Sequence, residues 1–159
     1  MPNEMRQSGY RERAEDLIYF VNFLNVAGYD FDEIPSDVRA IYYSDFVYLR
    51  LFKEGAKRFA SEELPLHPLT ERDILDGLVA IGANSHSEVF RNYFVGQDSI
   101  DPDRVDQEFA ELAKTEDVEL LADRLMLTTK QIEWKSEDAV GAEIARLSLD
   151  RRLSASKEK

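Results

Sequence analysis

The chain has 159 residues, of which 43% are hydrophobic, none is cysteine, and the net charge is −12. This size and composition predict a single globular domain that buries roughly two-thirds of its unfolded surface. They exclude a disulfide framework and thiol chemistry. The charge disfavours nucleic acid and membrane phosphate as direct partners and favours basic proteins.

Hydrophobic periodicity is helical nearly throughout, without the turn-flanked alternating segments that mark hairpins. The expected fold class is all-α: a bundle of about six to seven helices in one domain over residues 1–150, with a polar tail at 151–159. The polar start MPNEMRQSGYRERAEDL lacks the apolar core of a signal peptide. The longest apolar run, Leu17 to Tyr29, is interrupted by Asn22 and Asn25 and is too short and polar to span a bilayer. The expectation is a cytoplasmic protein.

In chain order, the first helix is predicted over about Arg11 to Ala27. Leu17, Phe20, Val21 and Leu24 form one face, Ile18 and Phe23 widen it, and Gly28 serves as C-cap. The second, longer helix follows Pro35, with Ser36 as N-cap and Asp37 in the first turn. It buries Val38, Ile41, Tyr42, Phe46, Leu49, Phe52 and Phe59, broadened by Tyr43, Val47 and Leu51, and Gly55 marks a bend or a close approach. The prolines of residues 64–69 read as a linker. Thr70 with Asp73 opens a third helix carrying Ile74, Leu75, Leu78 and Ile81, closed by Gly82.

Ser85 with Glu88 is the capping box of a fourth helix bearing Val89, Phe90, Tyr93 and Phe94, ended by Gly96. Asp101-Pro102 opens a fifth, in which Val105, Phe109 and Leu112 form a narrow seam. Thr115 is the expected cap of a sixth helix, with Val118, Leu121, Leu125 and Leu127 inward. Ser136 caps a last one bearing Val140, Ile144 and Leu147. Fifteen of the 17 aromatic residues precede residue 95, so the first four helices are expected to build most of the core.

Catalytic and ligand motifs are sparse. His67 and His86 are the obvious bases, yet neither sits in a hydrolase or metalloprotease motif, and both read as surface or turn histidines. Asp101, Asp103 and Asp106 resemble the start of a calcium loop. However, Asp106 and Leu112 stand where that loop needs glycine and glutamate, and Pro102 favours a helix start. No glycine-rich phosphate loop occurs. Neither a metal nor another cofactor is expected. The cationic C-terminal residues Arg146, Arg151, Arg152, Lys157 and Lys159 read as complements to a helix C-terminus.

The strongest local signal is charge. Residues 98–123 hold ten acidic against two basic residues, a local charge of −8. The ten, Asp98, Asp101, Asp103, Asp106, Glu108, Glu111, Glu116, Asp117, Glu119 and Asp123, are the candidate partner-binding residues. Asp103, Asp106 and Glu111 are expected to point away from the apolar seam. Carboxylates on a helix recur every 5 to 6 Å, a scale comparable to duplex phosphates at about 3.4 Å of rise per strand. Such a surface can stand in for a DNA backbone; the plainer alternative is a solubilising face.

Two segments carry a resemblance. Tyr42 to Phe59, YYSDFVYLRLFKEGAKRF, is similar to an aromatic-rich helix leading to a glycine-aromatic signature. Asp73 to Phe94 contains the pattern L-x-x-L-x-x-I-G-A at Leu75, Leu78, Ile81, Gly82 and Ala83. Together, about a quarter of the chain, they resemble a family of small acidic all-helical bacterial DNA-mimic proteins. The resemblance implies a helical fold, a homodimer as an option, and inhibition of a DNA-binding regulator or nucleoid protein through surface carboxylates. The acidic stretch lies outside the two segments, so its ten residues rest on charge density alone.

The leading expectation is therefore a non-enzymatic acidic protein that engages a basic DNA-binding protein or nuclease, as a DNA mimic or an immunity-like inhibitor. Two alternatives stay open: an adaptor or dimerisation domain working through an apolar surface, and an enzyme of unrecognised type built from His67, His86, Tyr43 and Asp45.

Overall fold

The computed structural model describes the backbone of residues 2–66, 69–132 and 137–157, and the side chains of residues 11–65, 69–132, 145–147 and 149–157. Among these residues the chain forms eight helices and no strand. They are α1 (Pro2–Val26), α2 (Ser36–Val47, continued by a π-helical stretch, Tyr48–Lys53), α3 (residues 56–66, with a π-helical centre at Phe59–Glu63), α4 (Glu71–Ala80), α5 (Asn84–Phe94), α6 (Pro102–Leu112), α7 (Val118–Thr128) and α8 (Glu137–Lys157).

The all-helical class agrees with the sequence, but the count exceeds the six to seven expected. Gly55 is the reason. It adopts φ +105° and ψ 155°, a conformation that only glycine enters without strain, and it divides the predicted second helix into α2 and α3. The segment 64–66, expected as linker, is the end of α3. At the other end of the chain, α8 continues past Asp150 to Lys157, where a polar tail was expected.

α2 lies at the centre, packed most extensively against α4 and also against α7 and α1. The periodic stripes fill the interior: Leu17, Val21 and Leu24 of α1, Ile41 and Val47 of α2, Ile74 and Leu78 of α4, and Phe90 and Phe94 of α5 are buried. Phe59 of α3 packs edge-on to Phe90 and Phe94. Leu127, expected inward, is 60% exposed, and Ala122 and Met126 are buried in its place. With about 100° of turn per residue, Leu127 lies opposite Val118, the residue that anchors the inward face of α7.

Helix termini divide into those capped locally and those capped from a distance. The Thr70–Asp73 box forms in both directions, at 3.2 Å and 2.9 Å. Asp101 caps α6 ahead of Pro102. Three other expected caps are replaced. Ser36 is the first residue of α2 rather than its cap, and Gln131 receives the Asp37 N–H at 2.7 Å. α5 starts at Asn84 with Ala83 in the cap position, so the Ser85–Glu88 box does not form and Glu116 supplies the acceptor. Asp117 caps α7, while the Thr115 hydroxyl donates backwards to the Leu112 carbonyl.

α8 is attached through α1 and the turn that follows it. The Tyr29 hydroxyl donates to the Leu147 carbonyl at 3.1 Å. Arg151 donates to the Gly28 carbonyl and to Glu33, and its guanidinium lies 4.8 Å from the Tyr29 ring centre. A C-terminal cation thus complements a helix C-terminus, but that of α1 rather than its own. The predicted cap Ser136 lies outside the described residues, as do the side chains of Val140 and Ile144.

Candidate functional site

The ten acidic residues of 98–123 fall into two structural groups. Asp98, Asp101, Asp103, Glu111 and Asp117 are exposed, whereas Asp106, Glu108, Glu116, Glu119 and Asp123 are half-buried. Each half-buried carboxylate is engaged within the molecule. Asp106, expected to face solvent, turns inward and accepts the Ala56 N–H at 2.8 Å, just after the Gly55 break. Glu108 accepts from the Tyr93 hydroxyl and pairs with Arg104 at 3.5 Å. The Tyr93 phenol is raised, first by that hydrogen bond and then by burial.

Glu116 is the most heavily used of the ten. Its carboxylate accepts the Ser85 N–H at 3.1 Å, the His86 N–H at 2.8 Å and the His86 Nδ1 at 2.6 Å. An ionised carboxylate has only acceptor sites, so the ring nitrogen carries the proton in this contact. Burial alone would raise the Glu116 pKa; the hydrogen bonds from His86 and Ser85 outweigh it and hold the carboxyl below its ordinary range. His86 is therefore not a surface histidine. It is 2% exposed, stacked on Phe109 and tilted against Phe52.

Glu119 and Asp123 tie α7 to α1. Arg11 reaches Glu119 at 3.4 Å and the buried Asp45 of α2 at 2.6 Å, and Arg13 pairs with Asp123. The five exposed carboxylates differ in their commitments. Asp101 and Asp117 are N-caps, and Glu111 pairs with Lys114 at 2.6 Å on an exposed face. Asp98 and Asp103 make no hydrogen bond or ion pair among the described residues.

The residues considered for catalysis do not share a site. Tyr43 lines a groove between α2 and α4, Asp45 faces Arg11, and His86 is packed between Phe52, Phe109 and Glu116. His67 lies outside the described residues. Asp101, Asp103 and Asp106 do not converge, because the first caps α6, the second is exposed and the third is bound to Ala56. Among the described residues no cluster of three or more His, Asp or Glu side chains could hold a metal ion. No helix among them is long and apolar enough to cross a membrane.

The fold and the surface define an all-helical, acidic chain in whose charged stretch five carboxylates are half-buried and engaged, and five are exposed, of which Asp101 and Asp117 cap helices and Glu111 pairs with Lys114. The chain matches no protein-family model, no characterised protein and no solved structure.

Proposed function

We propose that this chain is a non-enzymatic binding protein of the bacterial cytoplasm. It engages a basic DNA-binding protein or nuclease through the exposed carboxylates Asp98, Asp101, Asp103, Glu111 and Asp117, as a DNA mimic or an immunity-like inhibitor. One observation carries this reading: Asp98, before α6, and Asp103, in its first turn, have no intramolecular partner among the described residues and flank exposed Asp101 in sequence. Carboxylates left in water attract a cationic surface at little desolvation cost and speed its encounter. The other five candidates serve the fold and contribute to the partner's field only at a distance. A homodimer that doubles the face is compatible with this reading.

The test is a nuclease-treated pulldown from a bacterial lysate, eluted with a salt gradient, using the native chain and the triple reversal Asp98→Lys, Asp103→Lys, Glu111→Lys. A basic protein released at moderate salt and lost in the triple variant is the expected result. Retention by the triple variant rejects the carboxylate surface.

A second reading has its own observation. Tyr19 and Val26, seven positions apart and so on one face of α1, are 70% and 88% exposed, and Leu127 of α7 is 60% exposed. An adaptor or dimerisation surface accounts for them. Binding that survives high salt and the triple reversal, and fails in Tyr19→Ser with Leu127→Ser, selects this reading.

A further inference from the structure

The groove between α2 and α4 involves no residue of the acidic stretch. It encloses about 450 Å³, within the range of small-molecule sites, and its wall includes Phe31, Asp32, Arg39, Tyr43, Asp73 and Asp76. Gly77 forms its base, where the helices approach so closely that a Cβ would lie 2.8 Å from the Tyr43 Cβ.

Tyr43 supplies a hydroxyl donor on the groove wall. It is 7% exposed, and its hydroxyl has no hydrogen-bond partner among the described residues. Unlike the Arg39 Nε it is not sealed from solvent, so water in the groove reaches it; the neighbouring Tyr42 instead donates to Asn22 at 2.8 Å. Burial, and after it the Asp73 carboxylate, pushes the Tyr43 phenol up to about 12. The group stays protonated at neutral pH and can exchange groove water for a ligand acceptor. Among the described residues, Arg39 on the same wall pairs with the exposed Asp32, at 3.3 Å, and its Nε is buried without a partner.

We propose that this groove binds the head of a basic amino acid, free or within a peptide. A ligand carbonyl or carboxylate oxygen accepts from the Tyr43 hydroxyl and faces the Arg39 guanidinium. The side-chain cation of the ligand sits toward Asp32, Asp73 and Asp76. Asp76 is paired with Arg72 at 3.2 Å and Asp32 with Arg39, but Asp30 and Asp73 keep the wall net negative, which favours lysine or arginine over neutral or acidic amino acids.

Isothermal titration of the full chain with four probes tests the assignment. L-lysine binds; cadaverine, which lacks the carboxylate, and L-norleucine, which lacks the side-chain ammonium, each bind about tenfold more weakly. Nα-acetyl-lysine N-methylamide separates the sources. Binding equal to that of lysine indicates a residue in a peptide, and loss indicates the free amino acid. Tyr43→Phe keeps the ring, weakens lysine about tenfold and removes the preference for lysine over cadaverine. Should that variant fold poorly, Asp32→Asn, at a side chain 98% exposed, replaces it and weakens lysine while sparing norleucine. Absence of binding by every probe at millimolar concentration overturns the proposal, as does lysine affinity indifferent to these substitutions.

Discussion

At the scale of single residues, Glu116 shows how a side chain that reads as surface charge becomes structural. It accepts two backbone N–H groups of the first turn of α5 and the ring N–H of buried His86. Its pKa in the folded chain lies below the ordinary value of 4.5. The stability it contributes is therefore fully present above that value and is lost as pH falls through the depressed folded-state pKa. Glu116→Gln is expected to cost about 1–3 kcal/mol at pH 7. The gap between variant and native chain begins to narrow below the ordinary value of 4.5 and closes only below the depressed folded-state pKa; urea titrations in a series from pH 7 downward check both statements. Asp106 behaves in kind: Asp106→Ala leaves the Ala56 N–H without its acceptor and is expected to cost about 1–2 kcal/mol by the same measurement. Nothing in the spacing of residues 98–123 separates Glu116 and Asp106 from Asp103 and Glu111. Their partners lie 30 and 50 positions away in sequence, so the distinction exists only after folding.

At the scale of elements, glycine and capping decide the architecture. Gly77 sits inside α4, where helix propensity favours alanine by about 1 kcal/mol. Packing reverses the sign, because the added methyl would press on the Tyr43 Cβ at 2.8 Å and the Ala40 carbonyl at 3.2 Å. Gly77→Ala is expected to destabilise by about 1–3 kcal/mol; a gain in thermal midpoint would show that α2 and α4 can part at no cost. Most helices were legible from their stripes, and Thr70, Asp101 and Gly28 mark their ends as read. The caps of α2 and α5 were not, because Gln131 and Glu116 arrive from other parts of the chain. The break at Gly55 was visible only as a point of weakness. A glycine in a helical pattern signals a bend, close packing or a stop, and its φ of +105° selects the stop.

At the scale of the whole molecule, the charge is partly neutralised from within. Arg11 and Arg13 of α1 meet Glu119 and Asp123 of α7, so the acidic stretch also clamps the N-terminal helix to the bundle. The triple reversal at Asp98, Asp103 and Glu111 spares every one of these contacts. It changes the net charge from −12 to −6 and relieves self-repulsion. The variant is expected to keep its helical circular dichroism, with a thermal midpoint equal to or above that of the native chain. A large drop would mean that the exposed carboxylates are structural as well. Reversal at Glu119 and Asp123 instead removes the arginine pairs linking α1 to α7, and that variant is expected to melt earlier.

By itself the sequence determined the helical class, the apolar stripes, the locally coded caps and the placement of charge along the chain. All of these depend on spacing over one or two turns or on composition. Only the tertiary structure decided that α2 and α3 are separate helices, that His86 is buried, and that five carboxylates serve the interior while five face water. It alone set the Tyr43 hydroxyl in the groove beside Gly77, without a hydrogen-bond partner among the described residues. The physical reason is common to these cases. Whether a polar group is free or engaged depends on what the fold brings within hydrogen-bond distance, and for Glu116 and Asp106 those neighbours come from distant turns of the chain.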